Sequence, residues 1–311
     1  MSVLIIGGTG FIGYRLARLL AGRGEKVTCM DINPAAHSFA DLGDKVTVMR
    51  GDATQFDDVM AVMGNVQPER VVNLSYFLGS FHPPRAAMKL NILGMDNCFE
   101  AARICGVKHT MYASSLAVNG AQSHFGDRPV TEDDLVYGED QYSKHKIVNE
   151  WQSDDYREKH GMLITGIRPA NVTGPDKVRG SVDHVNIITE PARGNPITFP
   201  FADSMRCPIH VDEVAEIFSR VLMSDKPAHK IYATGGITVS LGDIADIVRR
   251  YLPDAKVNFT KNTGGRAASR TYNIENARLM TEFGVQYRPY SERVLQIIND
   301  IRKDNGKPPI G

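Results

Sequence analysis

Gly7-Gly8-Thr9-Gly10-Phe11-Ile12-Gly13 follows the apolar run Val3-Leu4-Ile5-Ile6 directly and leads into residues 12–21, whose apolar positions recur with helical spacing. A strand, a glycine turn and a helix in that order make the first half of a βαβ unit. In such a unit Gly7 permits the tight turn, Gly10 lets the backbone approach a pyrophosphate, and Gly13 lets helix and strand pack closely. The helix start at Phe11 and Ile12 then offers free N–H groups and a positive dipole end to the phosphates. The G-x-x-G-x-x-G spacing alone is a weak signal in a chain with 28 glycines. Its place between a strand and a helix makes it a dinucleotide-binding loop.

Outward from the loop, β-rich runs at 26–31, 46–51 and 70–74 alternate with a helical stretch at 56–63. The alternation continues with a helix through 85–104, a strand at 109–114, a long helix at 141–160 and a strand at 163–167. This order predicts an α/β fold, a doubly wound parallel sheet of the Rossmann type, because parallel neighbours need crossover helices on the faces of the sheet. After Pro175 the pattern loosens into Gly- and Pro-containing connections around 193–200, with helical stretches at 211–223, 241–252 and 291–303. The division expected is a cofactor-binding domain over 1–175, completed by parts of 206–240, with 176–311 forming mainly a smaller C-terminal substrate-binding lobe. The tail, 304–311, is expected to be mobile.

The 311 residues are 42% hydrophobic and 23% charged, ordinary proportions for a globular chain. With 36 Lys plus Arg against 36 Asp plus Glu, the formal charge is zero, which supplies no electrostatic reason for nucleic acid or an anionic membrane as partner. Cys29, Cys98, Cys105 and Cys207 form no C-x-x-C pair, so neither a disulfide framework nor a metal site is expected. A reducing, cytoplasmic setting is the default. The apolar start is four residues long, too short for a signal peptide or a membrane span.

Asp31 ends the second strand about twenty residues past the glycine loop, where a carboxylate accepts hydrogen bonds from the adenosine ribose hydroxyls. It also repels a 2′-phosphate. No Arg or Lys occurs in 32–41 to neutralise that phosphate, so NAD is favoured over NADP. Asp52, in Gly51-Asp52 after the third strand, is either a contact for the adenine edge or a turn residue.

Tyr142 and Lys146, in Gln141-Tyr142-Ser143-Lys144-His145-Lys146, stand four apart on a helical stretch and so share one face. A phenol with a pKa of about 10 is a poor acid or base at neutral pH. A nearby ammonium stabilises phenolate, and Lys146 can also bond a nicotinamide ribose. Upstream, Met111-Tyr112-Ala113-Ser114-Ser115 ends a strand on the side of the sheet where ligands of open α/β folds bind, and Ser115 can orient a reacting oxygen.

Glycine loop, strand-end Asp31, strand-end Ser114-Ser115 and helical Tyr142-x-x-x-Lys146, in that order, resemble the extended short-chain dehydrogenases/reductases, also called the NAD-dependent epimerase/dehydratase family. The likeness extends to Leu90-Asn91-Ile92-Leu93-Gly94, Pro129-Val130-Thr131-Glu132-Asp133, Arg168-Pro169-Ala170-Asn171-Val172-Thr173-Gly174-Pro175 and Ile209-His210-Val211-Asp212-Glu213-Val214-Ala215. The resemblance implies Ser115 as the hydroxyl on the substrate oxygen, Tyr142 as acid/base, Lys146 as its activator, Ser114 as a structural partner and Asn171 near the substrate. It leaves Asn91 and His210 as either framework or ligand-contacting groups, places Leu74 and Ser75 beside the cofactor, and implies a homodimer paired through the Tyr-x-x-x-Lys helices.

Two departures touch the mouth of the substrate site. Leu74-Ser75-Tyr76 has a bulky ring where the family usually has small residues, and Val118-Asn119-Gly120 replaces the common Val-Tyr-Gly. The Gly-Asp-Gly turn of nucleotide-sugar members is replaced by Phe199-Pro200-Phe201-Ala202-Asp203-Ser204-Met205-Arg206. Arg206 and Arg270 remain as clamps for a diphosphate, clamps for a carboxylate, or members of surface ion pairs. Phe77, Phe81, Phe199 and Phe201 either line a less polar pocket or belong to the core. The function expected is an NAD-dependent dehydrogenase or ketone reductase acting on a small hydroxylated substrate. A nucleotide-sugar 4-epimerase using the same residues is the alternative, and an NAD-sensing module without catalysis is a third class, disfavoured by Tyr142 and Lys146 beside Ser115.

Overall fold

A computed structural model describes residues 1–35, 39–79, 82–266 and 269–311. In chain order its elements begin β1 (Ser2–Ile6), α1 (Phe11–Gly22), β2 (Lys26–Asp31), β3 (Val46–Arg50), α2 (Phe56–Val66), β4 (Arg70–Asn73), α3 (Pro84–Met88), α4 (Gly94–Ile104) and β5 (His109–Ala113). They continue with α5 (Gln141–His160), β6 (Ile164–Arg168), β7 (Asn171–Thr173), α6 (Asp183–Arg193), β8 (Ile197–Phe201), β9 (Met205–Arg206), β10 (Pro208–His210), α7 (Val211–Met223) and β11 (Ile231–Ala233). Last come β12 (Val239–Ser240), α8 (Leu241–Tyr251), β13 (Val257–Lys261), α9 (Ala277–Phe283) and α10 (Tyr290–Asp304).

The main sheet has seven parallel strands in the order β3-β2-β1-β4-β5-β6-β11. Its strands read as nearly unbroken apolar runs because both faces are covered. On one face α1 and α7 bury Leu16, Leu20, Ile217 and Phe218 against β1 and β2. On the other, α2 and α4 bury Val59, Met63, Cys98 and Ala102 against Leu4, Ile6 and Val71. Strand order reverses between β1 and β4, which opens a crevice at their C-terminal ends above the glycine loop.

A second core of Ile187, Ile188, Ile244, Val248, Val294 and Ile298 is made by α6, α8 and α10, with β8 and β13 paired in parallel beside them. The loosened pattern after Pro175 therefore hides α6 and β8. Pro191 lies near the C-terminal end of α6, and Pro200 lies in β8, whose small sheet has only two strands. Both interrupt the usual sequence signals without preventing the element, since an edge strand can lack a donor. The 85–104 stretch is helical but not uniformly α: a π turn over Lys89–Leu93 joins α3 to α4.

The exposed C-terminal tail, expected to be mobile, folds back on α10. Asn299 exchanges two hydrogen bonds with the backbone of Ile310, at 3.0 and 2.9 Å, and Arg302 donates to the Pro308 carbonyl. Among the described residues no helix is long and apolar enough to cross a membrane.

Candidate active site

The glycine loop is shaped by close approach. At Gly7, with φ +80°, a Cβ would stand 2.7 Å from the Ser75 backbone nitrogen, so this glycine lets the β1–α1 turn touch the end of β4. A Cβ on Gly13 would collide with the Gly7 carbonyl. Gly8, to which the spacing assigns no role, is also required, because a Cβ there would lie 2.6 Å from that of Cys29. Gly10 is different: its Cβ would meet only the Gly7 carbonyl, at 3.2 Å, leaving the outer side of the loop open for a phosphate to approach. Phe11 and Ile12 begin α1 behind Gly10, with no side chain capping the first N–H groups.

Asp31 is anchored by this loop. Its two carboxylate oxygens accept from the backbone N–H groups of Thr9 at 3.3 Å and Asn33 at 3.1 Å. A carboxylate has about four lone-pair sites, so capacity for ribose hydroxyls remains. Asp52 Oδ1 accepts from Thr54 N at 2.9 Å in the turn after β3. Leu74 continues the ladder by donating to the Ile6 carbonyl, and Ser75 donates through both N and Oγ to Asn73 Oδ1. Open space at Gly10, spare acceptors on Asp31 and uncapped N–H groups at α1 fit a dinucleotide of the NAD type.

Ser115 has an extended backbone and caps a short 3₁₀ turn, its Oγ accepting from Ala117 N at 3.1 Å. The Ser115 hydroxyl also lies close enough to the Tyr142 phenol to favour its ionised form. Tyr142 lies in the first turn of α5, which begins with a capping box: Ser143 N donates to Asp140 Oδ1 at 2.8 Å and Asp140 N to Ser143 Oγ at 3.0 Å. Burial raises the Tyr142 pKa, while the Ser115 hydrogen bond and the positive charge of Arg270 pull it down.

Here the structure departs from the expected pairing. Lys146 is buried and donates to the Ala113 carbonyl at 2.5 Å, with its Nζ 5.8 Å from the centre of the Tyr142 ring. The Tyr76 ring lies 3.2 Å from that Nζ and meets the Tyr142 ring edge-on, with centroids 5.6 Å apart. Burial depresses the Lys146 pKa, opposed by Glu150 one turn further along α5. Sequence reasoning missed Glu150, although its i+4 spacing from Lys146 was a usable signal. Glu150 also accepts from Ser114 Oγ at 2.5 Å and from Arg168 through two bonds of 2.8 Å, forming a buried charged post beneath the site.

The substrate-side residues are drawn into the framework. Asn171 Oδ1 accepts from Cys207 N at 2.9 Å, joining β7 to the β10 region. Arg206 is paired with Asp183, its Nε donating at 3.1 Å, and its Nη1 bonds the Met205 carbonyl. Arg270 is paired with Asp140. Asn91 holds the Phe77 backbone at 2.9 and 3.3 Å, and His210 caps α7 by accepting from Asp212 N. Phe199 belongs to the core of the second lobe, while Phe77 stacks on His82 at 4.3 Å and Phe201 faces Lys261. These three do not form one pocket wall, and Phe81 lies outside the described residues. A groove of 710 Å³ shares none of these groups; Met88, Ile92 and Leu93 line it with Gln152 of α5.

The model of the NAD dependent epimerase/dehydratase family matches residues 3–235. A UDP-glucose 4-epimerase of Mycolicibacterium smegmatis is 28% identical over 232 residues, covering 71% of this chain and 72% of its own. Among solved structures, the Thermus thermophilus UDP-glucose 4-epimerase in complex with NAD superposes with a TM-score of 0.83 at 24% identity, over 97% of this chain and 99% of that one. A GalE-like L-threonine dehydrogenase from Cupriavidus necator gives 0.83 at 20% identity, over 97% and 100%. At these identities the two structures establish a shared fold, and they carry two different chemistries on it.

Proposed function

We propose, from the premise that the chain belongs to the NAD dependent epimerase/dehydratase family, that it is an oxidoreductase moving a hydride between a secondary alcohol or ketone and NAD. The observation that carries this reading is the juxtaposition of Ser115 and Tyr142, with the Tyr142 ring against Tyr76 and the adjoining Ser75 against the turn at Gly7. When bound, NAD supplies the hydride acceptor or donor. Tyr142, ionised, takes the hydroxyl proton of an alcohol as its carbon is oxidised, and in reverse returns that proton to a ketone oxygen. The Ser115 hydroxyl holds the same oxygen. Arg270 favours the ionised phenol, and Lys146 supplies the cation at the ribose end of the site.

A small substrate fits better than a nucleotide sugar because Arg206 and Arg270 already face Asp183 and Asp140, which leaves neither as a free clamp for a diphosphate. In this reading residues 1–175, with parts of 206–240, hold the cofactor, and 176–311 mainly hold the substrate. It includes a homodimer joined through α5, the helix of Tyr142 and Lys146, and a cytosolic setting consistent with four free cysteines, which cell fractionation tests. Calorimetry of the NAD-loaded chain with UDP, GDP, dTDP and CDP is expected to give no binding. A panel of small sugars, hydroxy acids and secondary alcohols is expected to yield NADH with at least one member. Micromolar nucleotide binding abolished by Arg206→Ala would replace this reading with the epimerase.

A further inference from the structure

Lys146 has no open face. Its side chain is 2% exposed, one direction from Nζ is taken by the Ala113 carbonyl, and another is covered by the Tyr76 ring at 3.2 Å from the ring centre. That separation is well inside the range over which an ammonium is attracted to an aromatic face. The ring is wedged further, its edge contact with Tyr142 on one side and the apolar group around Met95, Phe99 and Tyr112 on another. Its hydroxyl is buried without a hydrogen-bond partner among the described residues. A phenol in that condition is held by its ring alone, since a rotation that brings the hydroxyl to water or to a ligand recovers a hydrogen bond.

Resting on the reading of the site as an NAD site, we infer that Tyr76 is a positioning residue for Lys146 and sets the affinity for the dinucleotide. The ring and a ribose compete for the same ammonium. For Lys146 to reach a ribose hydroxyl, Tyr76 must leave its face, so the attraction between ring and ammonium is subtracted from cofactor binding. Small residues at this place in the family would leave the ammonium uncovered, so the effect belongs to this chain's own Tyr76.

The test is a titration of the full chain with NAD, followed by calorimetry, for the unmodified protein, Tyr76→Ala, Tyr76→Phe, Lys146→Met and the double variant Tyr76→Ala/Lys146→Met. Tyr76→Ala is expected to bind NAD about three- to tenfold more tightly, the range that a partly desolvated cation–π contact represents. Tyr76→Phe keeps the ring and should bind close to the unmodified protein. In the double variant the gain should vanish, because it acts through Lys146. Structural damage does not produce tighter binding, and Tyr76→Leu, which keeps apolar bulk without a π face, should move in the same direction if the alanine variant folds poorly. Binding by Tyr76→Ala that is unchanged or weaker overturns this inference while leaving the NAD site intact. An unmodified chain that binds no NAD overturns both.

Discussion

Tyr142 stands between opposing influences: burial pushes its phenol toward the neutral form, while Ser115 and Arg270 favour the ionised one. Its replacement by Phe keeps the ring edge against Tyr76 and removes only the proton carrier. Tyr142→Phe should therefore bind NAD normally and lose at least about a hundredfold in turnover, as steady-state kinetics would register; near-normal turnover would remove Tyr142 from the acid/base role. Asp31 makes a separate prediction. Because it organises Thr9 and Asn33 as well as offering lone pairs, Asp31→Ala should weaken NAD binding and narrow its advantage over NADP, followed by titration with each cofactor. A wild-type preference for NADP would show the ribose assignment to be wrong. The places of Gly7 in the β1–α1 turn, Ser115 after β5 and Tyr142 at the start of α5 were legible in the sequence because local spacing defines them. The partners of the two arginines were not: Asp183 is 23 residues from Arg206, and Asp140 is 130 from Arg270. The lie of the Tyr76 ring across Lys146 depends on packing among three elements, which no spacing rule encodes.

The helix carrying Tyr142 depends on its first residue outside. Asp140 accepts from Ser143 N and also pairs with Arg270, so Asp140→Ala removes a cap and leaves a guanidinium without its carboxylate. The cap alone contributes about 1 kcal/mol. In a chain of this size that corresponds to a drop of about 2 °C in the unfolding midpoint, measurable by calorimetry, and an unchanged midpoint would mean the cap contributes nothing. The bounds of α5 and α7 were readable to the residue. The π turn at Lys89–Leu93 was not, because apolar spacing does not reveal one extra residue in a helical turn. In this helix the widened turn contains Asn91, whose amide braces the Phe77 backbone just beyond Tyr76.

Across the molecule, His109, His184 and His210 are each at most 2% exposed, and burial holds all three down to about 4 from an ordinary 6.5. The unfolded chain takes up these protons near 6.5 and the folded one only near 4, so stability falls as pH is lowered through that window. Each histidine contributes a slope of up to about 1.4 kcal/mol per pH unit. The urea midpoint should accordingly drop between pH 7 and pH 5, before most carboxylates titrate; a flat profile there would mean the imidazoles are accommodated as cations. The proposed pairing of two copies through α5 makes a further prediction for its outer face, where Trp151 is 65% exposed, with Met88 of α3 and Leu93 of the π turn also exposed. Trp151→Glu should convert a dimer to a monomer in sedimentation velocity, and an unaltered dimer would locate the contact elsewhere. Six strands of the parallel sheet were legible because they are buried apolar runs, whereas the three-residue β11 was not, and the second lobe, built on α6, α8 and α10, hid α6 and β8 behind prolines. Its chain is interposed rather than appended: after α6, β8 and β9, the backbone returns through α7, which covers α1, and β11, which extends the sheet beside β6. The cofactor-binding half therefore cannot be cut out as one contiguous segment: a chain truncated after Pro175 loses β11 from the sheet edge and the cover that α7 gives α1.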